Sequence, residues 1–242
     1  MREQLTNYKW KKLAVESFKN GLRLHFDSIL LYNNKSFPSA YHLSILALEE
    51  FGKSYWIYHY YYSSITNDGF PEKEFEQKWL KLLFIHKRKQ TALFNYALFD
   101  GSWPKFFKRI ELGELEYKKQ KAIYVGLKRS NNGIDVNGRI LLPEMIKEKD
   151  ARQAISFLSM FLKEKCEMKF HYGDHFCIEE MDKLLSNKLY KKLLTWPYNS
   201  KLLLRKSFLS GLKDGSRKKS PWKKDCQRTL NRINKIKLSD SI

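Results

Sequence analysis

Cysteine, glycine, proline and acidic residues are all in short supply in this chain of 242 residues. Cysteine occurs three times, at Cys166, Cys177 and Cys226. So odd and scattered a set makes no disulfide framework and fits a reducing compartment. Glycine (11) and proline (6) are too few for a collagenous or low-complexity chain, while 43% hydrophobic and 15% aromatic residues are too many for a disordered one. No apolar run approaches the roughly 18 residues that a membrane span needs. The first twenty residues carry five Lys/Arg and no apolar signal core. The expectation is a soluble cytoplasmic protein with no membrane partner. The acidic deficit, 26 Asp and Glu against 46 Lys and Arg, leaves a net charge of +20 and points to an anionic partner.

What is abundant is apolar spacing of period 3.6, so the fold class expected is all-α, an antiparallel helical bundle. A first helix is predicted over Tyr8 to Tyr32, with Leu13, Ala14, Ser17, Gly21, Leu24, Ser28 and Leu31 on one stripe whose small members permit close packing. A second, from Ser39 to Ser63, is apolar almost all round and should be the central buried helix. A third follows Asp68 and Pro71 and runs to Phe99. Its stripe of Phe75, Trp79, Leu82, His86, Leu93 and Ala97 turns His86 inward. Residues 100 to 115 read as an irregular connection. KKQKAIYVGL, SNNGIDVNG and RILLP then predict a short helix end and a small hairpin insertion. Helices resume over Pro143 to Lys169, Ile178 to Leu194 and Leu202 to Leu212.

From Lys201 onward 13 Lys/Arg face three Asp, so half of the excess charge sits in the last 42 residues. Ser220 and Pro221 read as a helix start, and Cys226, Leu230, Ile233 and Ile236 as its apolar edge. The organisation expected is a bundle over residues 1–210 and a basic amphipathic helical extension over 211–242. Arg217, Lys218, Lys219, Lys223 and Lys224 are the candidate RNA-binding residues, through phosphate contacts. The aromatic run Tyr55, Trp56, Tyr58, Tyr60, Tyr61 and Tyr62 is suited to core and subunit packing more than to stacking on bases. Since one bundle can cover only part of it, a homodimer is expected.

The sharpest local signal is Glu49, Glu50, Gly52 and Lys53 within the apolar second helix. Adjacent carboxylates there each cost several kcal/mol unless compensated. Lys53 is placed to neutralise either, at i,i+4 from Glu49 or i,i+3 from Glu50. Gly52 lets another backbone or a ligand come close. An antiparallel third helix would bring His86 and Lys89 to the same turn. The cluster reads either as an ion pair that fixes helix packing or as a polar site between helices. Cys166, His171, His175 and Cys177 include metal-capable ligands, but their irregular spacing matches no common zinc finger, and no Glu-x-x-His for a di-iron site occurs. No metal and no cofactor are expected.

The run SAYHLSILALEEFGK, the later FIHKRKQ and then KQKAIYVGL resemble AbiV-type abortive-infection proteins, members of the wider HEPN superfamily of helical bundles. The matching positions are Tyr41, Glu49, Glu50, Gly52, Lys53, His86, Lys89, Lys119 or Lys121, Tyr124 and Val125, and the similarity covers roughly residues 8 to 165. The resemblance implies antiphage defence in which translation in the infected cell is shut down, with a phage-encoded protein as activator. Many HEPN relatives are metal-independent ribonucleases that act as dimers. Their hallmark, an arginine followed after four to six residues by histidine, is absent here. Lys53 before His59 and Lys81 before His86 do fit that spacing. The candidate catalytic set is therefore Glu49, Glu50, Lys53, His86 and Lys89. His86 would act as general acid or base, Lys53 and Lys89 would stabilise charge on a phosphoryl group, and Glu50 and Glu49 would orient a cation. The alternative is a non-catalytic blocker of translation that holds RNA, the ribosome or a protein.

Overall fold

Thr6 caps the first helix by accepting the Lys9 backbone N–H at 3.3 Å, and α1 then runs Asn7–Asn33. A tight turn with Lys35 at φ 61° reverses the chain. Pro38 sits in the first turn of α2 (Phe37–Thr66), where its missing N–H breaks no helical bond. The structure is a computed structural model that describes residues 4–198 apart from 68, 97–103, 128, 131–132 and 174.

Within the described residues the chain forms a helical bundle centred on α2, with α1, α4 (His86–Tyr96), α6 (Glu114–Lys121) and α7 (Glu148–Tyr172) packed against it. The small residues of α1 face it as the spacing requires. Ala14, Ser17, Gly21, Leu24 and Ser28 are buried, and a Cβ on Gly21 would lie 2.8 Å from the Phe51 ring. The Ser54 hydroxyl ties the two helices by donating to the Ala14 carbonyl at 2.7 Å. Tyr55, Trp56, Tyr58, Tyr60 and Tyr61 are all at most 8% exposed within a single chain. The premise that a second subunit must cover this run is thereby removed, and the rings are not placed to stack on bases.

The expected third helix is two. α3 (Lys73–Leu82) packs Trp79 against Trp56 and Tyr60, and a turn at 83–85 with i→i−3 bonds re-aims the chain into α4. One straight rod could not serve both contacts, because α4 must cross α2 at Gly52. His86 is therefore the first residue of α4, not a mid-helix stripe position.

The stretch expected to be irregular holds α5 (Pro104–Glu111), with Phe106 and Ile110 buried one turn apart, and α6, which follows Gly113 at φ 72°. The small hairpin is present: β1 (Arg129–Ser130) pairs antiparallel with β2 (Gly133–Ile134), and Gly126 pairs with Leu141 behind it. The helix expected over Ile178 to Leu194 is also divided, into α8 (Glu179–Leu184) and α9 (Asn187–Leu194). Ser186 caps α9 by accepting the Leu189 N–H. The Leu202 to Leu212 helix and the basic extension lie outside the described residues.

Two predictions arise from the packing. A Cβ on Gly52 would fall 1.9 Å from the Lys89 carbonyl oxygen, a clash with backbone that no rotamer relieves. Gly52→Ala should push α4 off α2 and lower stability by about 3 kcal/mol, the upper end of typical overpacking costs, as read from urea unfolding. Gly52→Ala with unchanged stability would mean that α4 does not sit so close.

His25 is fully buried against Ser159 Oγ (3.1 Å), and burial, with the nearby Lys192 charge, lowers its pKa to about 3. The unfolded chain takes up a proton near pH 6.5 that the native chain refuses, so stability is full above that pH and falls as pH drops from 6.5 towards 3. The slope for one such group reaches about 1.4 kcal/mol per pH unit. Replacing His25 by Gln should reduce the pH slope of unfolding free energy between pH 6 and 4 by roughly that amount.

Candidate functional site

Where α4 crosses α2, Glu49 points inward and is 2% exposed. Its Oε2 lies 2.7 Å from His86 Nδ1 and 3.5 Å from Lys89 Nζ, and its Oε1 accepts Lys119 Nζ at 2.8 Å and Gln90 Nε2 at 2.9 Å. Four side chains from two helices thus converge on one carboxylate. The Lys119 ammonium also reaches Glu116 Oε2 at 2.7 Å and lies 3.2 Å from His86 Nδ1. α6 is held to α2 by its backbone too, since His42 Nδ1 lies 3.2 Å from the Lys119 carbonyl oxygen.

The electrostatics follow from this geometry. Burial alone would raise the Glu49 pKa; the hydrogen bond and charge of Lys119, helped by Gln90 and His86, overcome it and hold the carboxyl below its usual range. Glu49 is therefore a carboxylate, and at 2.7 Å the His86 Nδ1 must be the protonated donor. That choice of tautomer leaves Nε2 to carry the lone pair of a neutral ring. The His86 side chain is 49% exposed, so the ring is held from below and open to solvent. A carboxylate that fixes one imidazole nitrogen so that the other can exchange a proton is a general acid–base arrangement.

Of the residues singled out from sequence, Glu49, His86 and Lys89 come together, while Glu50 and Lys53 pair with each other at 2.8 Å and are half-buried. Lys53 neutralises Glu50; the buried Glu49 is compensated from other helices. His86 is not an inward core residue but the rim of the site. Spacing of residues missed Gln90, Glu116 and Lys119 as members. Gln90 is one turn beyond His86, and Lys119 stood only in the resemblance, as an alternative to Lys121. Among the described residues the ligand atoms that gather as for a metal are those of Glu49, His86 and Glu116, all within 4.8 Å of one another, and not those of the Cys166, His171, His175 and Cys177 set. Lys119 Nζ touches all three, so its ammonium stands where a cation would sit. Cys166 is sealed in the core, where burial pushes its thiol up to about 12.

Lys53 precedes His59 at the spacing of the ribonuclease hallmark, but His59 is 5% exposed and burial, with the Lys165 charge, lowers its pKa to about 3. A ring so enclosed and so resistant to protonation is not placed for proton exchange with a substrate. Lys81, before His86, lies in α3, across the turn from the site.

A helical bundle with a carboxylate-anchored histidine at its surface defines the class of this protein. The HEPN_AbiV family model, described as AbiV, matches residues 9–161, well over half of the chain. The chain belongs to that family, and the matched span contains every residue of the Glu49 cluster. Membership ties it to abortive-infection defence. No curated protein and no solved structure matches it. Among the described residues no helix is long and apolar enough to cross a membrane.

Proposed function

We propose that this protein is an abortive-infection effector that shuts down translation in phage-infected bacteria by cleaving cellular RNA without a metal, once a phage-encoded protein activates it. The observation that carries the reading is the 2.7 Å contact between a buried carboxylate and the Nδ1 of a half-exposed histidine. Glu49 holds the ring in one tautomer, and His86 exchanges a proton with the substrate through Nε2. Lys89 and Lys119 keep positive charge beside the ring, where it opposes the negative charge that develops on a phosphoryl group. Glu50 and Lys53 flank this centre on the same helix.

The test is direct. Purified protein, alone and with extract of phage-infected cells, is incubated with labelled cellular RNA in EDTA. Discrete fragments from the intact protein, absent with His86→Ala, support the reading. Intact RNA in every sample would remove it.

A second reading, the non-catalytic blocker that holds RNA, the ribosome or a protein, is favoured by one observation: the charges around Glu49 saturate one another. An ion-pair knot that locks α2, α4 and α6 needs no substrate. On that reading the protein would arrest translation while RNA stays whole.

A further inference from the structure

The outward face of α6 is the strongest feature that the Glu49 site does not use. At 3.6 residues per turn, Tyr117 and Lys121 lie about 40° apart around α6, Lys118 lies about 60° beyond Lys121, and Lys119 projects from nearly the opposite side to Tyr117 and Lys121. The chain turns on beyond Lys121, where the Tyr124 N–H donates to the Gln120 carbonyl at 3.0 Å and holds Tyr124 within one turn of the end of α6. Tyr117 is 40% and Tyr124 61% exposed, in contrast to the buried tyrosines of α2. The paired backbones of Gly126 and Leu141 (3.2 and 2.7 Å) bring the loop carrying exposed Arg139 back to the end of α6.

The charges there are not all compensated. Lys118 is paired with Asp150 at 2.5 Å, and Arg109 with Glu114 at 3.2 Å. Among the described residues neither Lys121 nor Arg139 has a carboxylate within ion-pairing distance. Burial and the charges of Lys118 and Arg139 lower the Lys121 pKa, against the weaker pull of Asp150. Crowded cations with exposed rings between them suit a flexible polyanion that also carries flat apolar groups.

We infer that this face of α6 and the bridged loop binds single-stranded RNA, with Lys121 and Arg139 contacting phosphates and Tyr117 and Tyr124 stacking on bases. The inference rests on the RNA reading above but not on cleavage. It places an RNA contact on the bundle itself, on the helix whose inner face supplies Lys119 to Glu49, and distinct from the basic extension.

The test is fluorescence anisotropy of the full chain with a fluorescein-labelled oligouridine and with a labelled RNA duplex. Tyr117→Ala/Tyr124→Ala should weaken oligouridine binding by about tenfold or more, and the Phe replacements should restore it. Lys121→Gln/Arg139→Gln should lower the slope of log affinity against log salt by about 1.4, the value for two phosphate contacts on a single strand. The same variants are repeated in a chain whose Arg217, Lys218, Lys219, Lys223 and Lys224 are Gln, so that the extension cannot mask the loss. All four residues are exposed or at the surface, and thermal midpoints within a few degrees of the parent confirm folding. Wild-type affinity in both double variants in both backgrounds overturns the inference, as does equal loss of single-strand and duplex binding in the tyrosine variant. If RNA proves uncut while these variants still lose binding, the ribonuclease reading fails and this one stands.

Discussion

His86→Ala should abolish RNA cleavage and toxicity while the thermal midpoint falls by no more than a few degrees. Removal of a general acid or base typically costs 10²–10⁴ in rate, enough to silence a toxin. The stability cost is small because the ring is half-exposed and because Glu49 keeps Lys119, Gln90 and Lys89 when the ring is gone. For a chain of this size each kcal/mol corresponds to roughly 2–4 °C. His86→Asn separates chemistry from scaffolding. An asparagine amide can still donate a hydrogen bond towards Glu49, but it cannot exchange a proton near neutral pH. A toxic, RNA-cleaving His86→Asn variant would show that the ring merely braces the carboxylate, and the catalytic assignment would be lost.

The part of this site that was legible in the sequence was the demand, not the supply. Two carboxylates in an apolar helix announce that a cation must meet them, and Gly52 announces a close backbone, which proves to be the Lys89 carbonyl. Which carboxylate goes inward is decided elsewhere. Glu49 and Glu50 differ by about 100° around α2, so the lines along which α4 and α6 cross α2 bury one and leave the other at the edge. Lys53 is the obvious local partner and satisfies the wrong one of the two. The true partner of Glu49, Lys119, is 70 residues away on an eight-residue helix whose sequence, ELEYKKQK, holds too few apolar residues to mark an inward face. The long helices were legible for a related reason: α1 and α2 repeat their apolar pattern over many turns. The break at 83–85 was not, because nothing in Leu82, Leu83, Phe84 and Ile85 departs from an apolar run. Only the need to reach Trp56 at one end and Gly52 at the other forces the turn.

Exchange of Glu49 and Lys119, singly and together, should give the largest change in stability. Both side chains are at most 3% exposed and lie 2.8 Å apart. Glu49→Leu leaves the Lys119 ammonium with Glu116 as its one carboxylate, besides the His86 ring. Lys119→Met leaves Glu49 with Gln90, His86 and the more distant Lys89. Each single replacement should therefore destabilise by about 3–5 kcal/mol, since it leaves a charge in a low-dielectric site without its main partner. The double replacement removes one charge of each sign and should recover most of that loss, because an apolar pair of similar volume avoids desolvation altogether. The half-buried pair Glu50 and Lys53 provides the contrast, and its single replacements should cost about 1 kcal/mol. Activity then divides the two functional readings. If Glu49 orients His86, the stable Glu49→Leu/Lys119→Met chain is inactive towards RNA and harmless to cells, because no carboxylate holds Nδ1 and no ammonium lies beside the ring. If the cluster only locks three helices together, the same chain is stable and fully toxic, and the protein arrests translation by binding instead of by cleavage.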